Sequence, residues 1–261
     1  MTVELERFSF ANEHLIACVS TRLGGVSAAP YDSLNLSFGV GDQPAAVLEN
    51  RERVCAAMDF ALDALTVANQ VHAGDVVIVD GSHRGRGATT PADAVADADA
   101  LVTAAPNVLL AILLADCVPI VLYDLTRRVV GIAHAGWRGT VAHVGANTVA
   151  AMVEHFGCDP CDIRAGIGPS IGPKSYEVGP DVAHLAYDAF PRAPEVVHRV
   201  NERTTFDLWA ANAHDLIGAG LDQRNIESMD IDTFTTTDRW YSHRAGAPTG
   251  RFMAFAALPS L

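Results

Sequence analysis

The strongest regularity along the chain is a block of apolar runs in its middle. Three of them, Val108 to Leu114, Val118 to Tyr123 and Val129 to Ala135, are short, rich in branched residues and bounded by polar or glycine-containing breaks, which predicts three strands. Phe252 to Ala257 predicts a strand that closes the chain, and Phe8 to Phe10 and Ile16 to Ser20 predict two short strands near its start. TVANQVH (Thr66 to His72) and DVVIVDG (Asp75 to Gly81), separated by a turn, read as a hairpin. Helical spacing takes over at Ala45 to Met58, behind Asp42 as cap and Pro44 in the first turn, and again at Thr140 to Phe156, Pro180 to Ala189 and Phe206 to Leu221. Strands and helices mix without strict βαβ alternation. That predicts a single α+β domain over residues 1–261 rather than a doubly wound sheet.

Between the second strand and the first helix, STRLGGVSAAPYDSLNLSFGVGDQP has no sustained period, and glycine, proline, serine and asparagine dominate it. A loop of that length in a compact domain is expected to be functional, because specific contacts must anchor its backbone.

At 261 residues with 49% hydrophobic positions the chain can bury a substantial core. No run of about 18 apolar residues occurs, and MTVELERFSF lacks the basic start and apolar centre of a signal peptide, so the expected compartment is the cytoplasm. Five cysteines, an odd and sparse set, argue for the same reducing environment. Cys158 and Cys161 form a CDPC with no second CxxC to complete a zinc site, and read as an incidental loop pair. A formal net charge of -13 repels polyanions and argues against nucleic acid or anionic membrane as partners. An anionic substrate then needs a local cationic pocket.

HAGWRGT, His134 to Thr140, joins the strand VVGIAHA to a helix and sits where such a pocket would be useful. The strands VPIVLY and VVGIAHA, joined by DLTRR, form an expected antiparallel hairpin. A turn centred between Leu125 and Thr126 sets Cys117 opposite His134 on one face, with Cβ atoms about 4.5 to 5.5 Å apart. That separation suits two metal ligands or a thiolate beside an imidazole; a small buried cysteine and a hydrogen-bonded histidine are the plain structural alternative. His72, in the turn after an apolar run, is a candidate third ligand, and a His, Cys, His set leaves one position open for water, as catalytic zinc does. Arg138 and the free N–H groups of the following helix start offer an anion site, with Trp137 as packing or a pocket wall. GIGPSIGPKSYEVG and YSHRAGAPTGR, with Ser242, His243, Arg244 and Arg251, are further loops of similar chemistry.

STRLGGVS, YDSLNL, VGD, NQVH, DADALVT, LLADCVPI, GIAHAGWRGT, GIGPSIGPKSYEVG and YSHR…TGR, in this order, resemble the YfiH/YlmD-like laccase-domain family, formerly described as multicopper polyphenol oxidases and now regarded as zinc-dependent purine nucleoside phosphorylases. The match runs from about Ser20 to Arg251. The resemblance implies mixed sheets sandwiched by helices in α/β/β/α layers, and zinc rather than copper on His72, Cys117 and His134. It also implies phosphorolysis of adenosine, inosine, guanosine and methylthioadenosine, with adenosine deamination as a second activity. Arg22, Asn35, Arg138 and Arg244 fall on motifs expected to contact substrate or phosphate, and Asp116, beside the cysteine, is a candidate acid. Two positions depart from the family pattern: Asp232 and Thr233 stand where relatives carry a Cys-Thr pair, and Arg244-Ala245 where they carry two arginines. Multicopper chemistry is not expected, since no two of the ten histidines are two residues apart. A cysteine hydrolase acting on peptide or cell-wall amides through Cys117 and His134 is the rival reading, and a zinc-stabilised binding module is a third.

Overall fold

A computed structural model describes residues 2–260. Along the chain come β1 (Leu5–Arg7), β2 (Ile16–Ser20), α1 (Pro44–Ala56), β3 (Leu65–Val67), β4 (Val76–Ile78), β5 (Ala100–Thr103), β6 (Leu109–Leu114), β7 (Val118–Asp124), β8 (Val129–Ala135), α2 (Trp137–Val141), α3 (Val144–Phe156), β9 (Ile163–Ile167), α4 (Pro180–Ala189), β10 (Val197–Val200), β11 (Arg203–Phe206), α5 (Leu208–Gly218), β12 (Ile226–Ser228) and β13 (Phe252–Ala257). They build two mixed sheets, ordered β1-β2-β13-β6-β3 and β12-β9-β7-β8-β5-β4, plus the small hairpin β10-β11. Three pairs are parallel, β3 with β6, β4 with β5 and β9 with β12.

Three apolar cores explain the layering. Leu101, Ile132 and Val121 from the six-stranded sheet meet Leu110, Ile112 and Phe252 from the five-stranded one, all fully buried. On the outer side of the six-stranded sheet, Ile120 and Ala133 pack with Val144, Val149 and Met152 of α3 and Leu216 of α5. Outside the five-stranded sheet, Val54 and Cys55 of α1 cover Leu65, Leu109 and Phe255. The order is therefore helix, sheet, sheet, helices, the α+β sandwich expected. Each sheet is covered on both faces, which is why its strands read as continuous apolar runs without alternation.

Several expectations need correction. Phe8 to Phe10 is not a strand: the ladder ends at Arg7, and the two buried phenyl rings stack 5.5 Å apart as a plug beneath Gly166. TVANQVH and DVVIVDG do not form a hairpin, because β3 pairs with β6 in one sheet and β4 with β5 in the other. Asp42 does not cap α1; Gln43 is the cap residue, and the Asp42 carboxylate instead accepts from Ser27 and Asn35. The predicted Thr140 to Phe156 helix begins at Trp137 and breaks at His143, whose φ of 57° interrupts the ladder between α2 and α3. Phe206 belongs to β11, and α5 starts only after Asp207, whose side chain accepts from the Ala210 N–H.

The β7–β8 register also shifts. Asp124 pairs with Val129 across a four-residue turn, in which Arg128 takes a φ of 53° and Asp124 Oδ1 accepts from the Arg127 N–H at 2.9 Å. His134 consequently faces Pro119, and Cys117 lies diagonally from it on the same face, two residues further along the strand. That face is the inter-sheet one, where Cys117 packs at the edge of the central core.

Candidate functional site

Cys117 sits where the chain crosses from one sheet to the other. β6 ends at Leu114, β7 begins at Val118, and Asp116 makes the turn with a φ of 88°. His134 is buried near the end of β8, and His72 projects from the turn after β3 with a φ of 61°. One nitrogen or sulfur atom from each of His72, Cys117 and His134 lies within 4.8 Å of the others. The two imidazole rings meet edge to face with centroids 4.8 Å apart. His134 is buried, Cys117 partly buried and His72 exposed, so the cluster opens to one side.

A fourth residue holds this cluster together. The fully buried Asp99 accepts from His134 Nδ1 at 2.9 Å and from the N–H groups of Val71, His72 and Ala73 at 3.2, 3.0 and 2.6 Å. One carboxylate thus orients one imidazole and pins the turn that presents the other. Burial alone would push the Asp99 carboxyl up, but His134 and the backbone donors outweigh it and hold it below the ordinary range. Burial would likewise raise the Cys117 thiol, yet the two imidazoles beside it bring it below the usual thiol value, while the Cys117 and Asp99 charges hold His134 above the ordinary imidazole value against its burial. Asp99 was not singled out from the sequence. The signal was present in DADALVT, since a period of two puts Asp99 on the same inward face as Leu101.

Two cavities share the cluster. The smaller, about 200 Å³, is lined by His72, Cys117, Trp137, Arg138, Tyr176 and Arg244 among others. The larger, about 440 Å³, reaches His72, Cys117 and His134 from the side of Phe38, Asn69 and Arg251. In the smaller cavity Arg138 lies 4.3 Å over the Trp137 ring and Arg244 5.0 Å over the Tyr176 ring. Arg244 Nη1 also donates to the Glu177 carbonyl at 2.9 Å. The arginine ion pairs of the described residues involve other side chains, so both guanidinium groups keep donors for an anion.

The other expected site residues sit differently. Asp116 lines the smaller cavity, but Oδ1 accepts from Thr233 Oγ1 and Oδ2 from the Arg244 N–H, each at 2.7 Å, which ties the carboxylate to the loop carrying Arg244. Arg22 and Asn35 are not brought to either cavity. Arg22 spends its donors on the carbonyls of Asp32 and Thr237 and lies over Tyr241. Asn35 is fully buried, bonded to Ser37, Asp42 and the Arg251 N–H. Both anchor the long loop that has no periodicity. At the departing position, Asp232 accepts from the Gly172 N–H at 2.9 Å and Ser175 Oγ at 2.5 Å, and so holds the glycine-rich loop; Ala245 is exposed and donates its N–H to Ser242 Oγ at 3.1 Å. Cys158 is buried and Cys161 exposed, and all five cysteines are free.

With this geometry in view, residues 16–259 match a family model described as "multi-copper polyphenol oxidoreductase laccase". A relative from Deinococcus radiodurans named purine nucleoside phosphorylase is 42% identical over 92% of this chain and 88% of its own length. The purine nucleoside phosphorylase YfiH of Escherichia coli is 36% identical over 93% of each chain. The crystal structure of YlmD from Geobacillus stearothermophilus superposes with a TM-score of 0.92 at 34% identity, covering 95% of this chain and 93% of that one.

Proposed function

This chain belongs to the multi-copper polyphenol oxidoreductase laccase family, and on that footing we propose that it is a zinc-dependent purine nucleoside phosphorylase, working as one catalytic domain over 1–261 in the cytoplasm. Its substrates are adenosine, inosine, guanosine and methylthioadenosine with inorganic phosphate, and deamination of adenosine is a second activity. The names of the relatives support the reaction, and the convergence of two imidazoles and a depressed thiol supports the metal. Two nitrogen ligands and one sulfur ligand, with an open side, are a donor set that fits zinc. When bound, zinc supplies a Lewis acid and a water acidified toward neutrality.

The remaining work falls to the chain itself. Arg138 and Arg244, held against Trp137 and Tyr176, bind phosphate in the smaller cavity and aim one of its oxygens at C1′ of the ribose. That oxygen bonds to C1′ as the bond from C1′ to the purine nitrogen breaks. Asp116 keeps the Arg244 loop in place through its two fixed hydrogen bonds. Asp99 orients His134 and His72 toward Cys117.

Purified zinc-loaded protein is expected to release adenine from adenosine only when phosphate is present, and to release ammonia from adenosine without it; Cys117→Ser and His134→Ala remove both activities. Protein that carries zinc yet consumes no purine nucleoside overturns the reading. One observation favours a second: the chain of contacts from Asp99 through His134 to Cys117 is also that of a cysteine hydrolase. Metal content separates the two, because one tightly bound zinc per chain leaves no free nucleophile at Cys117.

A further inference from the structure

Arg251 stands directly before β13, in the larger cavity that shares His72 and Cys117 with the smaller one. Its position is built from both sides. The Arg251 N–H donates to Oδ1 of the buried Asn35 at 2.9 Å, and the Arg251 carbonyl accepts from the Leu36 N–H at 2.9 Å. Behind it, Gly250 lies so close under the Tyr241 ring that a Cβ there would come within 2.6 Å of a ring carbon. Nη1 donates back to the carbonyls of Thr249 and Gly250 at 3.0 and 2.9 Å. Nε and Nη2 make no hydrogen bond to the described residues, and the arginine ion pairs there involve other side chains. Arg251 lines the same cavity as His72, Cys117 and His134; burial works against its charge, while the charges of Cys117 and Asp116 favour it. A half-buried guanidinium with free donors is costly unless an anion meets it.

Phosphate already has two cations in the smaller cavity. The larger cavity offers the flat wall of Phe38, whose ring carries the buried Arg51 guanidinium at 4.5 Å. An aromatic wall beside hydrogen-bonding side chains, here Asn69 and Gln70, is what a heterocyclic base requires. Cleavage of the glycosidic bond leaves its electron pair on the base, so negative charge develops on the side of the ribose away from the incoming phosphate. We propose that Arg251 is the cation that stabilises the departing purine, with Phe38 holding the base against it. This rests on the phosphorylase reading. As a phosphate oxygen bonds to C1′, the bonding pair moves to the purine nitrogen and charge passes from phosphate to base. The guanidinium donates hydrogen bonds but keeps its protons, and water protonates the base after release.

The test compares guanosine with 7-methylguanosine, whose ring already carries a positive charge and therefore leaves without becoming an anion. Arg251→Met is expected to lower kcat on guanosine by about 10²- to 10³-fold, as loss of one charge-stabilising donor does, and to lower it on 7-methylguanosine by less than about tenfold; the second rate also reports that the variant is folded. Arg251→Lys is expected to recover part of the guanosine rate. Equal losses on the two substrates, or no loss on guanosine, overturn the assignment. Wild-type protein inert toward both nucleosides with phosphate present overturns the phosphorylase reading itself.

Discussion

Replacing Gly136 by alanine probes the site with a single methyl group. Gly136 caps α2 with φ −67° and ψ 174°, a conformation open to any residue, so the backbone is not strained by the change. The strain is steric and local: the new Cβ would lie 2.9 Å from Cys117 Sγ and 3.6 Å from His72 Cδ2. Carbon atoms in contact sit about 3.5 to 4.0 Å apart, and sulfur is larger, so the thiol must move by more than about 0.5 Å. Cys117 can do this by turning about its one side-chain torsion, which takes the sulfur away from the imidazoles and leaves the fold nearly untouched. Overpacking of this kind costs about 1 to 3 kcal/mol, and if it falls on the metal-loaded geometry zinc binds about 5- to 150-fold more weakly. Competition with a chromophoric chelator measures that affinity, and thermal unfolding of the metal-free proteins checks that the fold is retained. Zinc affinity within twofold of wild type would refute the placement of Cys117 Sγ beside Gly136.

Asp99→Asn keeps an acceptor for the turn N–H groups but sets an amide opposite His134 Nδ1; zinc affinity is expected to fall about 10- to 100-fold, measured by the same competition, and an unchanged affinity contradicts the role given to Asp99. In metal-free protein at about pH 7, Cys117 is expected to alkylate together with the exposed Cys161. Cys18, Cys55 and Cys158, whose thiols burial pushes up to about 12, stay unmodified, and zinc protects Cys117; mass spectrometry of the labelled peptides decides it. Burial pushes the Asp215 carboxyl above its ordinary value, against the pull of the Ala146 N–H and His143. Its contribution to stability is complete below the unfolded value of about 3.9 and is lost as pH rises through the folded one. Asp215→Asn should therefore gain in urea midpoint relative to wild type as pH rises from about 4, and a shrinking difference refutes this.

The central strands were legible because a strand covered on both faces must be apolar throughout, and β8, β13 and α4 lie where their patterns end. The hairpin register missed by one residue at the turn, since nothing local announces that Arg128 adopts a left-handed conformation. Yet the error slid His134 by two positions along its partner, and a slip of two preserves the face. Cys117 and His134 were therefore placed together by a register that is itself wrong. What stayed hidden depends on distant contacts. β3 and β4 are near neighbours in sequence that join different sheets, and Asp99 gains its meaning only from residues 26 to 35 positions away. Arg22 and Asn35 carry the chemistry of ligand contacts but are consumed in anchoring a loop, which residue type alone does not distinguish.

The most direct test of the account follows orthophosphate by phosphorus NMR in a solution of adenosine and protein of measured zinc content. Ribose 1-phosphate is expected to grow in at the rate adenine appears, in wild-type protein carrying one zinc per chain and not in Cys117→Ser. Adenine released without a new phosphate ester, or no turnover by zinc-loaded protein, would contradict it.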